Sequence, residues 1–395
     1  MIDLAIRRYK TLEKGFHIPF RRYLHTEIDW SNQLIGIKGA RGVGKTTLLL
    51  QRIKYDLKGK NALYLSLDDP SFASLDLVEF ADDLSKLGFT HLFLDEVHRF
   101  PNWSQSVKTI YDYFPDLHLV FTGSSMIELS RASGDLSRRA AMFQLHGLSL
   151  REYINLSEQK DFQAYRLKEI LLDDFQIDLG PLKPIALFRK YLESGYYPFF
   201  RDSRPAIYLE QLKETINLTL ERDIPAVEEI SLATVLKMRR FMGILSSSVP
   251  FKPNISKLSE LLESTRESVV KYLSLLEKAG LLSLLNTSTQ GIRALGKPEK
   301  VLFDNPNIMH ALATSVNVGT QRETFFVNQL SKAGHMLTLD KEGDFKVNER
   351  YVFEIGGKSK TSEQIRGVKS SYIAADNIEV RWQNKVPLWY FGFLY

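Results

Sequence analysis

The residues Gly39-Ala40-Arg41-Gly42-Val43-Gly44-Lys45-Thr46 have the spacing G-x-x-x-x-G-K-T. That spacing suits the polyphosphate of a nucleotide. Glycines let the backbone curl until successive N–H groups converge on one phosphate. A helix starting near Lys45 adds the positive end of its dipole. The expected cradle is therefore Gly39, Ala40, Arg41, Gly42, Val43, Gly44, Lys45, Thr46 and Thr47. Lys45 is expected to reach the β- and γ-phosphates of ATP, and the Thr46 hydroxyl to ligate Mg²⁺.

Such a metal needs a carboxylate. "LFLDEVHRF" supplies one, 50 residues after Lys45, where three apolar residues run into Asp95-Glu96. Asp95 is expected to hold the Mg²⁺ shell and Glu96 to polarise the attacking water, which favours hydrolysis over simple exchange. Two further positions have competing readings. Ser124, in "FTGSS", either contacts the γ-phosphate or caps the next helix. Arg138 and Arg139 either offer a guanidinium to the γ-phosphate or form a surface ion pair. An arginine acting on a neighbour's nucleotide requires a homo-oligomer, whereas one acting on its own does not.

These groups must be positioned by a scaffold. "QLIGIKG" (33–39), "NALYLSLDD" (61–69), "HLFLDE" (91–96), "LHLVFTGSS" (117–125) and "AAMFQLHGL" (140–148) read as strands. They are apolar on both faces and separated by amphipathic segments, the pattern of a parallel sheet covered by helices. The fourth should lie beside the P-loop strand. From Arg151 to about Met242 the chain reads as helical. "NISKLSELLESTRESVVKYLSLLEKAGLLSLL" (254–285) then reads as a helix-turn-helix followed by an extended wing.

Composition sets the class. The chain has 395 residues, 44% of them hydrophobic and 25% charged, enough for a sizeable core in two or three domains. With no cysteine, disulfides and thiolate metal sites are excluded. Charges interrupt the N-terminal apolar positions, and no apolar run approaches the roughly 18 residues of a membrane span. A soluble, cytoplasmic protein with no membrane association is expected. The net charge of +5 and pI of about 9.0 permit an acidic partner without requiring one.

Taken in order, "GARGVGKTTLLL", "YLSLDDP", "LFLDEVHRFPNW", "VFTGSS", "LSRRAAMFQLHGLSLREY", "YLESGYYPFF" and "TLERDI" resemble the prokaryotic AAA-family predicted ATPases. The resemblance spans essentially the whole chain and is densest in its first 150 residues. It implies an α/β, AAA-type P-loop NTPase core, then a helical region, a winged helix and a small α/β C-terminal domain. It places 39–46 on the phosphates, makes Asp95-Glu96 the Walker B pair and puts Ser124 at a sensor position where many AAA proteins have Asn. Arg138 or Arg139 then stands where an arginine finger is expected. The expected divisions are an N-terminal helical arm (1–30), the ATPase domain (31–150), the helical region (151–242), the winged helix (243–292) and the C-terminal domain (293–395).

The C-terminal third carries a second constellation. Glu323 on a helix, Asp344 on a strand and Glu354 on the next strand resemble a PD-(D/E)xK nuclease core. Gly356 stands where that pattern has its lysine. Lys358, two residues on, would face the same side about 7 Å further along, and Lys360 is also near. The preferred reading is a nuclease-like fold used for interaction. In the winged helix, Arg266, Ser268 and Lys271 would face DNA. Yet residues 251–287 hold five Lys/Arg against four Asp/Glu, a poor concentration of charge for phosphates. The expectation is a nucleotide-controlled switch or motor acting on a protein partner or DNA held by the C-terminal half. The alternative is an ATP-dependent DNA-binding protein or nuclease.

Overall fold

A computed structural model describes residues 1–123, 136, 138–225, 230–247, 253–287 and 297–395. They form two compact units, 1–147 and 148–395. No described helix is long and apolar enough to cross a membrane.

The first unit opens with α1 (Ile2–Gly15), which buries Ala5 and Tyr9, and a short α2 (Leu24–Glu27). Then come β1 (Leu34–Lys38), α3 (Lys45–Gln51), β2 (Ala62–Ser66), α4 (Leu77–Lys86), β3 (His91–Asp95), α5 (Trp103–Tyr113), β4 (His118–Gly123) and β5 (Ala141–Gln144). The five strands form one sheet in the order β2-β3-β4-β1-β5, every pair parallel. Central strands are apolar in both directions because helices cover both faces; Leu34, Ile35, Ile37, Leu92, Phe93 and Leu94 are all buried. The sheet is the α/β P-loop core expected. β4 does lie between β1 and β3, so the P-loop strand and the carboxylate strand are separated by one strand. The helix expected to start near Lys45 is α3, which is followed by a π turn over Arg52–Asp56.

The second unit runs through α6 (Leu150–Glu158), α7 (Leu167–Ile170), α8 (Pro184–Ser194), α9 (Pro205–Leu218) and α10 (Leu232–Ser247). Next are α11 (Ile255–Leu261), α12 (Arg266–Lys278), β6 (Leu282–Leu285), β7 (Lys300–Phe303), α13 (Pro306–Leu312) and α14 (Val318–Lys332). The chain ends in β8 (Leu337–Leu339), β9 (Phe345–Val347), β10 (Tyr351–Gly356), β11 (Ser371–Ala375) and β12 (Lys385–Pro387), with a 3₁₀ turn over Leu388–Phe393. α11 and α12 meet at a short turn, where the Thr265 hydroxyl caps α12 through the Ser268 amide (3.1 Å). β6 pairs antiparallel with β7 in a two-stranded ribbon. The last sheet has the order β12-β11-β10-β9-β8, parallel on one side of β10 and antiparallel on the other.

A polar network organises the helical part of this unit. The Asn307 carbonyl oxygen accepts from the Tyr196 amide (2.7 Å) and the Tyr208 hydroxyl, while its NH₂ donates to Tyr191 O (3.0 Å) and Leu192 O (2.8 Å). All four bonds the amide can make are made, which lets it sit fully buried without penalty. This accounts for the tyrosines of "YLESGYYPFF": their hydroxyls and backbone serve the fold.

Candidate nucleotide site

The loop 39–44 joins the carboxyl end of β1 to the start of α3, the end of a parallel sheet at which ligands bind. Gly42 (φ 83°) and Gly44 (φ 100°, ψ 27°) hold conformations that a side chain resists, and Gly44 is the residue from which α3 starts. Lys45 is buried, with Nζ donating to Gly39 O (3.0 Å) and Ala40 O (3.1 Å) across the curl of the loop. The buried Arg22 braces the loop from outside it. Its guanidinium donates to Val43 O (2.7 Å) and to the carbonyls of His146 (2.7 Å) and Gly147 (3.0 Å).

Asp95, at the end of β3, is 2% exposed and receives three hydroxyls from three different elements. Thr46 of α3 (2.5 Å) and Tyr64 of β2 (2.8 Å) both donate to Oδ2, and Thr122 of β4 donates to Oδ1. Burial first, then the Asp95 charge, pushes the Tyr64 phenol well above its ordinary range, so it remains a donor. Glu96 follows in the left-handed region (φ 56°, ψ 42°). Its amide donates to Thr122 Oγ1 (3.3 Å), and its carboxylate lies 3.5 Å from Nε2 of the buried His98.

Residues Gly39 to Thr47, Asp95 and Glu96 thus belong to one constellation at the carboxyl edge of the sheet. A hydroxyl and a carboxylate meeting at one oxygen form a hard, oxygen-only donor pair, and Thr46 is exposed while Asp95 is buried. That pair fits Mg²⁺, which binds through one or two protein oxygens plus phosphates and keeps several waters.

The remaining candidates fall differently. Ser124 lies outside the described residues. Arg139 forms a two-pronged pair with Asp112 of α5 (Nε–Oδ1 2.9 Å, Nη2–Oδ2 3.2 Å), the surface ion pair that was its competing reading. Arg138 is exposed, and no described contact carries either guanidinium to the loop. Tyr64, Thr122, Arg22 and His98 were not singled out from the sequence. A hydroxyl near the end of an apolar strand was the only visible sign of Tyr64 and Thr122.

In the second unit Glu323 pairs with Lys300 (2.7 Å), and burial, more than it is offset by that lysine, raises its carboxyl. Asp344 stands in the bend before β9, not within the strand, where its carboxylate accepts from the Ile355 amide (2.7 Å). Lys358 requires correction. β10 stops at Gly356, and Lys358 is exposed in the turn that follows. The lysine that reaches Glu354 is Lys360. It does so over Gly356, where an added Cβ would lie 2.7 Å from Lys360 Cβ and Cγ; the missing side chain is the room the lysine uses. Strand alternation also turns Phe353 toward Phe326 of α14 (ring centroids 5.0 Å apart), and so sends Glu354 to the opposite face from the helix that carries Glu323.

Comparison with known proteins matches residues 31–154 to a family described as an AAA domain and residues 185–320 to a domain of unknown function, DUF8612. The uncharacterized protein MJ1637 of Methanocaldococcus jannaschii is 25% identical over 92% of this chain and 84% of its own length. Among solved structures, a Walker-type ATPase of Pyrococcus abyssi is 12% identical, over 74% of this chain and 95% of that one, with a TM-score of 0.45. PCH-2 of C. elegans is 17% identical, over 54% and 68%, with a TM-score of 0.25. Likeness at that level leaves the fold resting on the chain's own strand order. Sheet order, loop geometry and the family match over 31–154 agree: the chain carries a P-loop domain of the AAA family.

Proposed function

We propose that this domain binds ATP with Mg²⁺ and hydrolyses it to ADP and phosphate. The observation that carries the reading is the meeting of Thr46 and Asp95 beside the glycine loop. Loop amides and the start of α3 hold the phosphates, and Lys45 exchanges the carbonyls of Gly39 and Ala40 for β- and γ-phosphate oxygens. Thr46 and Asp95 hold the cation, which when bound neutralises charge building on the phosphates. Glu96 orients the attacking water and accepts its proton on the carboxylate. Arg138, with Arg139 engaged by Asp112, is the better candidate for the guanidinium, in cis or from another copy.

The second unit completes the proposal as the partner-binding half of a nucleotide-controlled switch. Glu323, Asp344 and Glu354 serve the fold, since each carboxylate is matched by a lysine or an amide and Glu354 leaves its strand on the face opposite the helix that carries Glu323. The balanced charge around α11 and α12 favours a protein over DNA. The test is direct. The purified chain should bind a fluorescent ATP analogue and Lys45→Ala should lose that binding at least about 10-fold, with labelled DNA left un-nicked in the same Mg²⁺ buffer. Equal binding by Lys45→Ala overturns the ATP site; nicking lost in Asp344→Ala overturns the reading of the second unit.

A further inference from the structure

The motif "YLSLDDP" has no part in the scheme above, yet its tyrosine touches the site's central carboxylate. Tyr64 stands on β2, beside the carboxylate strand in the sheet, with Ser66 in register with Asp95. It is 6% exposed, and its hydroxyl donates to Asp95 Oδ2 at 2.8 Å. A phenylalanine would fill the same space, so what the hydroxyl adds is its bond to Asp95. Oδ2 has two in-plane lone pairs. Tyr64 takes one and Thr46 the other, while Thr122 secures Oδ1.

We infer that Tyr64 is a positioning residue: it fixes the plane of the Asp95 carboxylate so that one Oδ2 lone pair faces Thr46, where the cation is held. The inference rests on the proposed role of Asp95. Without the phenol the carboxylate is free to rotate about χ2, because the Thr46 hydroxyl is itself needed by the cation and Thr122 holds one oxygen alone. The consequence falls on metal affinity and leaves the loop's grip on metal-free phosphate intact. Loss of one outer partner of a metal ligand typically weakens metal binding 10- to 100-fold.

The experiment titrates a fluorescent ATP analogue into wild type, Tyr64→Phe and Asp95→Asn, in EDTA and at increasing Mg²⁺, with thermal unfolding of each variant in EDTA as the control for folding. Tyr64→Phe should match wild type in nucleotide affinity in EDTA, still unfold in one cooperative transition, and need about 10-fold more Mg²⁺ to reach the tight-binding state. Thr122→Val should shift the same dependence in the same direction. An unchanged Mg²⁺ dependence in Tyr64→Phe, with Asp95→Asn shifted, overturns the role of Tyr64 and leaves the metal assignment standing. An unchanged dependence in Asp95→Asn overturns the metal assignment, and the role of Tyr64 with it.

Discussion

At the scale of single residues, the site depends on backbone conformations that few residues adopt. Gly44 at φ 100° is the sharpest case, because α3 cannot start where it does unless the chain passes through that angle. An alanine there would carry its Cβ into the preceding carbonyl, a cost of about 1–2 kcal/mol. Gly44→Ala should therefore lower the free energy of unfolding by about that amount in denaturant titrations, and weaken nucleotide binding because the loop amides no longer converge. Unchanged stability would show that the loop relaxes freely. Glu96 accepts a left-handed conformation without being glycine, at the residue proposed above to orient the attacking water. Strain held at such a position is what a functional constraint leaves behind.

The glycine loop and Asp95-Glu96 were legible because their chemistry is tied to fixed spacing within one stretch of chain. Tyr64, Thr122 and Arg22 were not, since each acts on a residue 21 to 31 positions away through a contact that only the folded chain creates. Lys360 shows the same limit from the other side. Spacing along a strand pointed to Lys358, but the strand ends at Gly356 and the chain turns back over it.

At the scale of elements, the strands were readable from apolar runs, and their partners less so. Parallel order placed β4 beside β1 as expected, whereas nothing in the sequence showed that 300–303 pairs with β6. A short apolar strand does not record which neighbour it will meet. One pairing has a consequence for stability. His91 and His118 begin β3 and β4, stand in register, and stack with ring centroids 4.9 Å apart. Burial first, and the neighbouring His118 second, push His91 down to about 4. The unfolded chain, near 6.5, therefore takes up a proton that the folded one refuses. Stability from this group is complete above about pH 6.5 and is lost as the pH falls toward about 4. His91→Gln should show a shallower fall in unfolding midpoint across that window than wild type. Parallel curves would mean that the pair does not hold His91 neutral.

At the scale of the molecule, the two units differ in what their polar groups do. In the first, hydroxyls and carbonyls converge on a loop and a carboxylate that still have work to offer a ligand. In the second, the Asn307 amide binds Tyr196, Tyr208 and the backbone of Tyr191 and Leu192, while the Tyr191 hydroxyl donates to Leu148 O (2.7 Å), so these buried polar groups serve the fold. Hydrolysis by the first unit is what would make the whole chain a switch, so it is the central claim. It is tested most directly by phosphate release from ATP by purified wild type and Glu96→Gln in Mg²⁺, with nucleotide binding measured on the same samples. Wild type should release phosphate, and Glu96→Gln should bind with similar affinity and release it at least about 100-fold more slowly. Equal release from the two proteins would contradict the account.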